Sequence, residues 1–272
     1  MTETAGTQLH RFDLDTAVTR VADGRWSAQI DPGWSSIGGA PNGGYTLSVA
    51  LAAATQAVPR TEPLSTSVHF VKPAAPGPAE IEVELVKRGR LKSTVSARLS
   101  QDGSERLRVL ATCADRAALG WPAEFAPQRP QIPGPEDCQA PPVAAGAEAT
   151  IAARFDYRVT PQTRWATGTK SGQARLDGWI RFADGREPDL AALPLFVDAF
   201  PPAIYEVADA VLVPTLDFTV HLRRRPAPGW LQARLETRAL DGGIIDEDGE
   251  LWDSAGRLVA TSRQLALVLP FG

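Results

Sequence analysis

Two periodicities of apolar residues alternate along this chain, and the points where they switch mark its elements. Leu47, Ala50, Leu51, Ala54 and Ala57 recur at helical spacing, with Asn42-Gly43-Gly44 just ahead as a helix start signal. Period-two alternation follows in residues 64–71, 81–86, 91–99 and 107–111, which predicts four strands. Trp26, Ala28 and Ile30 mark an earlier strand. The second half predicts strands at 151–159 and 174–182 and a helix at 189–207, then strands starting at Leu216, Trp230, Gly243 and Arg257. One helix among antiparallel strands in each half is an α+β layout, with the sheet wrapped on the helix. The small side chains of Ala50, Ala53, Ala54 and Ala57 let a curved sheet approach closely.

The two halves repeat. Val68-His69-Phe70 precedes Ala75-Pro76-Gly77, and Val220-His221-Leu222 precedes Ala227-Pro228-Gly229, at a constant offset of 152 residues. Each set leads into an alternating strand (Ile81, Val83, Leu85 and Leu231, Ala233, Leu235), and Leu110-Ala111-Thr112 is matched by Val259-Ala260-Thr261. Chance convergence of two strand–turn–strand units would explain the turns but not the repeated order of elements. Between the halves, Pro122, Pro127, Pro130, Pro133, Pro135, Pro141 and Pro142 break any sustained apolar period. The expected organisation is therefore an N-terminal unit at 1–115, a proline-rich linker at 116–150 and a C-terminal unit at 151–272.

Composition narrows the class. With 272 residues, 43% hydrophobic and 22% charged, the chain can bury a large core and reads as globular rather than disordered. A net charge of −4 offers no electrostatic footprint for nucleic acid or an anionic membrane. No stretch approaches the roughly 20 apolar residues that cross a bilayer. The polar start, with Glu3, resembles neither a signal peptide nor a transit peptide. Two cysteines, Cys113 and Cys138, form no metal-ligand spacing and suggest a reducing, cytoplasmic setting. No cofactor is expected.

Candidate chemistry rests on a contrast between the two predicted helices. Between Tyr45 and Pro59 the first carries no ionisable side chain, whereas between Leu190 and Tyr205 the second carries one, Asp198. Leu193, Phe196, Val197 and Phe200 form its apolar stripe, which places Asp198 at the margin, partly desolvated. It reads either as a solvated or capping residue or as a general base. Thr215, at the start of a strand, and Gln264, among apolar neighbours in the last strand, read singly as ordinary hydrogen-bonded residues. Together with Asp198 they are suited to hold and deprotonate one water molecule. His69 and His221 occupy equivalent strand positions and read as structural, and His10 has no nameable partner. No Gly-x-Ser-x-Gly, P-loop or dinucleotide fingerprint is present. Arg223, Arg224 and Arg225 read as a solvated turn or a contact for a coenzyme phosphate, and 246–250 reads as a solvated turn rather than a metal site. The seven tryptophans read as core and interface filling.

These residues give the chain its resemblance. Gly43-Gly44 opening the first helix, Phe70-Val71-Lys72-Pro73, Val197-Asp198, Thr215-Leu216-Asp217 and the closing run from Gly256 to Gln264 resemble the acyl-CoA thioesterase II family of double hot-dog proteins. The resemblance spans residues 15–269 and implies two antiparallel sheets, each wrapped around one long helix and joined into one continuous sheet. It further implies hydrolysis of an acyl-CoA thioester in fatty acid metabolism, by a water that Asp198, Thr215 and Gln264 orient, and homo-oligomers beyond the single chain. Backbone N–H groups at Gly43 and Gly44 are candidate oxyanion donors, since a helix N-terminus favours negative charge. Two departures stand out: His221-Leu222-Arg223-Arg224 replaces the family's aromatic–His–Arg, and Pro201-Pro202 interrupts the helix after the candidate base. Two other readings compete, a non-catalytic acyl-CoA or lipid-binding protein and an enoyl-CoA hydratase-like enzyme. The latter requires a histidine opposite the carboxylate.

Overall fold

The computed structural model describes residues 9–36, 38–59, 61–120, 125–141, 150–208 and 211–270. Its elements in the first half are α1 (Arg11–Asp15), β1 (Val18–Ala22), β2 (Arg25–Ile30), α2 (Gly43–Gln56), β3 (Glu62–Phe70), β4 (Gly77–Arg88), β5 (Lys92–Gln101) and β6 (Ser104–Ala114). The second half contains β7 (Phe155–Val159), β8 (Arg175–Phe182), α3 (Leu193–Phe196), β9 (Val211–Leu212), β10 (Thr215–Leu222), β11 (Leu231–Asp241), β12 (Ile244–Trp252), β13 (Leu258–Leu267) and β14 (Leu269–Pro270).

Twelve strands form one sheet in the order β1-β2-β4-β5-β6-β3-β10-β13-β12-β11-β8-β7. The second six strands repeat the first six in mirror order, so the halves meet where β3 pairs antiparallel with β10. At that seam Ser67 lies opposite Thr219. These residues are 152 apart, the same offset read from the sequence, and their hydroxyls hydrogen-bond at 2.8 Å. A residue and its repeat counterpart therefore face each other across the pseudo-twofold axis. Joining the two units here pairs both strand edges that would otherwise be open. Arg116 clasps the same seam, donating to Pro63 O on one side and to Leu222 O and Arg223 O on the other at 2.6–2.8 Å.

Helix α2 lies in the concavity of the sheet and is buried on nearly all sides. Such a helix must settle its own polar groups. Thr46, Ser48 and Thr55 do so by donating to carbonyls one turn back. Asn42 caps the start, accepting from Tyr45 N at 3.0 Å. Its amide Nδ2 also donates to Asp198 O in the other half at 3.1 Å. Asn42→Ala removes both contacts and is expected to cost about 1–2 kcal/mol, checked by denaturant titration; an unmoved midpoint would refute the cap.

The second half departs from the expected pattern. In place of one long helix over 189–207, the chain makes the short α3 and then, after Pro201-Pro202, a 3-10 turn at Ala203–Glu206. Proline disfavours helical geometry in the residue before it and supplies no N–H, so the helix cannot pass this point. Ala199 O, left without a helical partner, instead accepts from Tyr157 Oη at 2.9 Å. The sheet thus wraps one long helix and one broken one. Residues 151–154, expected as strand, also form a 3-10 turn, and β7 starts at Phe155.

Segment 125–141, inside the expected linker, docks on the outer face of β8 and β11. Pro133 O accepts from Trp179 Nε1 at 2.9 Å and Pro130 O from Gln232 Nε2 at 2.8 Å. Residues 121–124 and 142–149 of that linker lie outside the described residues. Among the described residues no helix is long and apolar enough to cross a membrane.

Candidate active site

Asp198 sits just past the end of α3, at the margin where the two halves touch, and is half-buried. Its Oδ2 accepts from Gly44 N at 2.7 Å, so the carboxylate of one half caps the helix of the other. The first N–H groups of a helix have no intrahelical partner and carry the positive end of its dipole, which makes this a favourable place for a carboxylate. The close approach depends on the absence of side chains. A Cβ on Gly44 would lie 2.8 Å from Pro194 O and 3.0 Å from Leu195 Cα, and one on Gly43 would meet the Phe70 ring at 2.9 Å. Burial pushes the Asp198 carboxyl up to about 6, with the donors Gly44 and Asn42 drawing it partly back.

Thr215 and Gln264 are brought together directly, Thr215 Oγ1 donating to Gln264 Oε1 at 3.0 Å. A β-bulge makes this possible. Thr215 pairs with Ala266 and Asp217 with Leu265, leaving Leu216 as an extra residue that turns Thr215 onto the inner face. Asp198 forms no direct hydrogen bond to either residue among the described residues.

A third group, absent from the sequence reading, completes the cluster. Segment 246–250, expected as a solvated turn, is the middle of β12, and Glu247 there is only 2% exposed. Glu247 Oε1 accepts from Gln264 Nε2 at 2.8 Å, and Oε2 accepts from Ala203 N at 2.6 Å and Thr237 Oγ1 at 3.1 Å. Burial raises its carboxyl to about 7 against the pull of those three donors, and the charge of Asp198 raises it further. The signal was in the alternation: Ile245, Glu247, Gly249 and Leu251 share one face of β12, and the first and last are buried apolar residues. Gly249 on that face leaves room for Val197, since a Cβ there would lie 2.9 Å from Val197 Cγ2. The Val197-Asp198 pair is thereby seated over β12.

Other candidates fall away from this cluster. His69 and His221 are exposed on the outer face, and His10 faces Asp184 at 3.6 Å. Arg225 pairs with Glu62 across the seam, and Glu62 also meets Arg116 at 3.0 Å. Cys113 is buried, which pushes its thiol up to about 11 and leaves it a poor nucleophile. Two surface clefts of about 280 and 240 Å³ lie elsewhere, one around Thr160 and Arg164, the other around Arg154 and Asp184.

A mirrored twelve-stranded sheet around a buried helix, with a carboxylate held at the seam of the halves, defines a duplicated hot-dog protein. The chain matches the family model of the acyl-CoA thioesterase N-terminal domain over residues 30–114 and that of the C-terminal domain over 135–268. It belongs to the acyl-CoA thioesterase family. A candidate thioesterase II from Thermobifida fusca YX is 37% identical, with a TM-score of 0.87 over 95% of this chain and 97% of that one. A conserved protein with a hot-dog fold from Alicyclobacillus acidocaldarius is 25% identical, with a TM-score of 0.85 over 96% and 98%. The thioesterase-like protein TwmA of Talaromyces wortmannii is 26% identical over 86% of this chain and 85% of its own.

Proposed function

We propose that the protein hydrolyses acyl-CoA thioesters to the free acid and coenzyme A. The observation that carries this reading is the half-buried Asp198 carboxylate, raised to about 6 and held at the start of α2 by Gly44 N. The joined Thr215 and Gln264 support it, since Gln264 bonds Glu247, and Glu247 senses the charge of Asp198. A base with that pKa is ionised at neutral pH yet still able to accept a proton in the reaction. In the proposed step, Thr215 and Gln264 hold the water and Asp198 takes its proton as the oxygen attacks the thioester carbon. The tetrahedral intermediate then collapses, breaking the C–S bond, and the thiolate leaves as coenzyme A after protonation. Because the Gly44 N–H is already given to Asp198, the oxyanion is assigned to Gly43 N–H, which has no hydrogen-bond partner among the described residues. The hydratase-like reading lacks its histidine, because His69 and His221 are exposed on the opposite face.

Thiol release across an acyl-CoA chain-length series tests the proposal. Since Asp198 acts only when ionised, kcat/KM is expected to rise with pH through about 6 and then level. Binding of acyl-CoA without thiol release at any chain length would establish the non-catalytic binding protein instead.

A further inference from the structure

We propose that Glu247 is a positioning residue of this site: it sets the direction of the hydrogen-bond chain Glu247–Gln264–Thr215, so that the Thr215 hydroxyl donates inward and turns its lone pairs to the attacking water. The inference rests on the hydrolytic reading above and adds a residue to it.

The argument follows from what each group can donate. Three donors surround the Glu247 carboxylate: Ala203 N, Thr237 Oγ1 and Gln264 Nε2. In its ionised form, which prevails above about pH 7, the Glu247 carboxylate only accepts, so there it matches all three at once. The Gln264 atom that faces it must therefore be the nitrogen. That leaves the Gln264 oxygen toward Thr215, and across the 3.0 Å contact between them Thr215 must be the donor. Register reinforces the arrangement, because Glu247 lies directly opposite Gln264 on β12 and β13, and Gln264 directly opposite Phe218 on β10. A hydroxyl whose hydrogen is committed inward offers only lone pairs outward, where it accepts a hydrogen from the water and leaves an oxygen lone pair aimed at the thioester.

Glu247→Gln reverses this chain without changing its shape. Ala203 N is a donor only, so the new amide oxygen must take the Oε2 place, and the new amide nitrogen faces Gln264. Gln264 then turns over, presents its nitrogen to Thr215, and forces Thr215 Oγ1 to accept. The Thr215 hydrogen swings outward, toward the water.

Four measurements together test the proposal: steady-state thiol release, thermal unfolding, the side-chain amide signal of Gln264 in ¹H–¹⁵N spectra, and rescue in a double variant. Glu247→Gln is expected to lower kcat on the order of 10–100-fold with KM little changed, as for a misdirected reactant. Its melting point stays near that of the parent. The Gln264 amide proton is expected downfield in the parent, where it meets a carboxylate, and to move upfield in the variant. In the double variant Glu247→Gln/Gln264→Glu, the carboxylate at 264 again accepts from Thr215, and part of the lost kcat returns. A single variant with parental kcat, or an amide signal that does not move, overturns the proposal. If Glu247→Gln fails to fold, the parental amide signal and the double variant decide. A parent that releases no thiol overturns the hydrolase reading alone, and the amide signal still decides on Glu247.

Discussion

Asp198→Asn is expected to lower kcat by about 10²–10⁴ while the fold persists, the usual range for losing a positioned acid–base group. The asparagine oxygen can still accept from Gly44 N, so the contact between the halves survives and only the proton acceptor is lost. Stability moves in the opposite direction to activity. The folded pKa of Asp198, about 6, lies above its ordinary value of 3.8, so folding favours the protonated form. Its contribution to stability is full below about pH 4 and is lost as pH rises through 6. At pH 8 the Asn variant is therefore expected to unfold at the same denaturant concentration as the parent or a higher one. Parental kcat in the variant, or a loss of stability confined to high pH, would remove Asp198 from the role of base.

Gly44→Ala is expected to be the most damaging single-methyl change near the site. The added carbon meets Pro194 O at 2.8 Å and Leu195 Cα at 3.0 Å, which are backbone atoms of the opposite half and cannot rotate away. Overpacking of this kind costs about 1–3 kcal/mol, and separating the halves also displaces Asp198. A displacement of about 1 Å is enough to lose roughly 10² in rate. Gly43→Ala is the comparison, since its carbon first meets the edge of the Phe70 ring, a side chain that can yield. Unfolding midpoints and kcat for the two variants check the difference. Equal, small effects would mean that the halves are not in close contact at Gly44.

Much of the fold follows from local pattern. The run from Leu47 to Ala57 predicts a helix and the structure has one at Gly43–Gln56, because its start signal and apolar spacing lie within a few turns of each other. The alternating segments appear as strands, with ends displaced by a few residues. The second helix is the exception. Its apolar stripe reads well, but Pro201-Pro202 outweighs that pattern, and Asp198 ends up beyond α3 rather than on it.

The sequence by itself determined the duplication, the long first helix and most of the strands, while the resemblance to a known family singled out the three side chains proposed for the site. The first three depend on periodicity or on a repeat offset, which are properties of neighbouring residues or of self-similarity, whereas the roles of the three side chains are what the resemblance implies. The offset of 152 makes Ser67 and Thr219 repeat counterparts, but that they face each other where β3 pairs with β10 is a fact of the folded sheet. What only the tertiary structure decided is how these residues meet. Gly44 reaches Asp198 across 154 positions, and no local pattern records that the N–H is spent there rather than left for an oxyanion. The bulge at Leu216 turns Thr215 inward through a one-residue mismatch between two paired strands, which neither strand shows alone. Glu247 looks like one acid in an acidic run until β12 is seen to bury alternate residues, and only folding supplies the three donors that keep it there. The physical reason is the same in each case: burial and hydrogen-bond partnership are set by groups far apart in the chain, and a carboxylate takes its character from them.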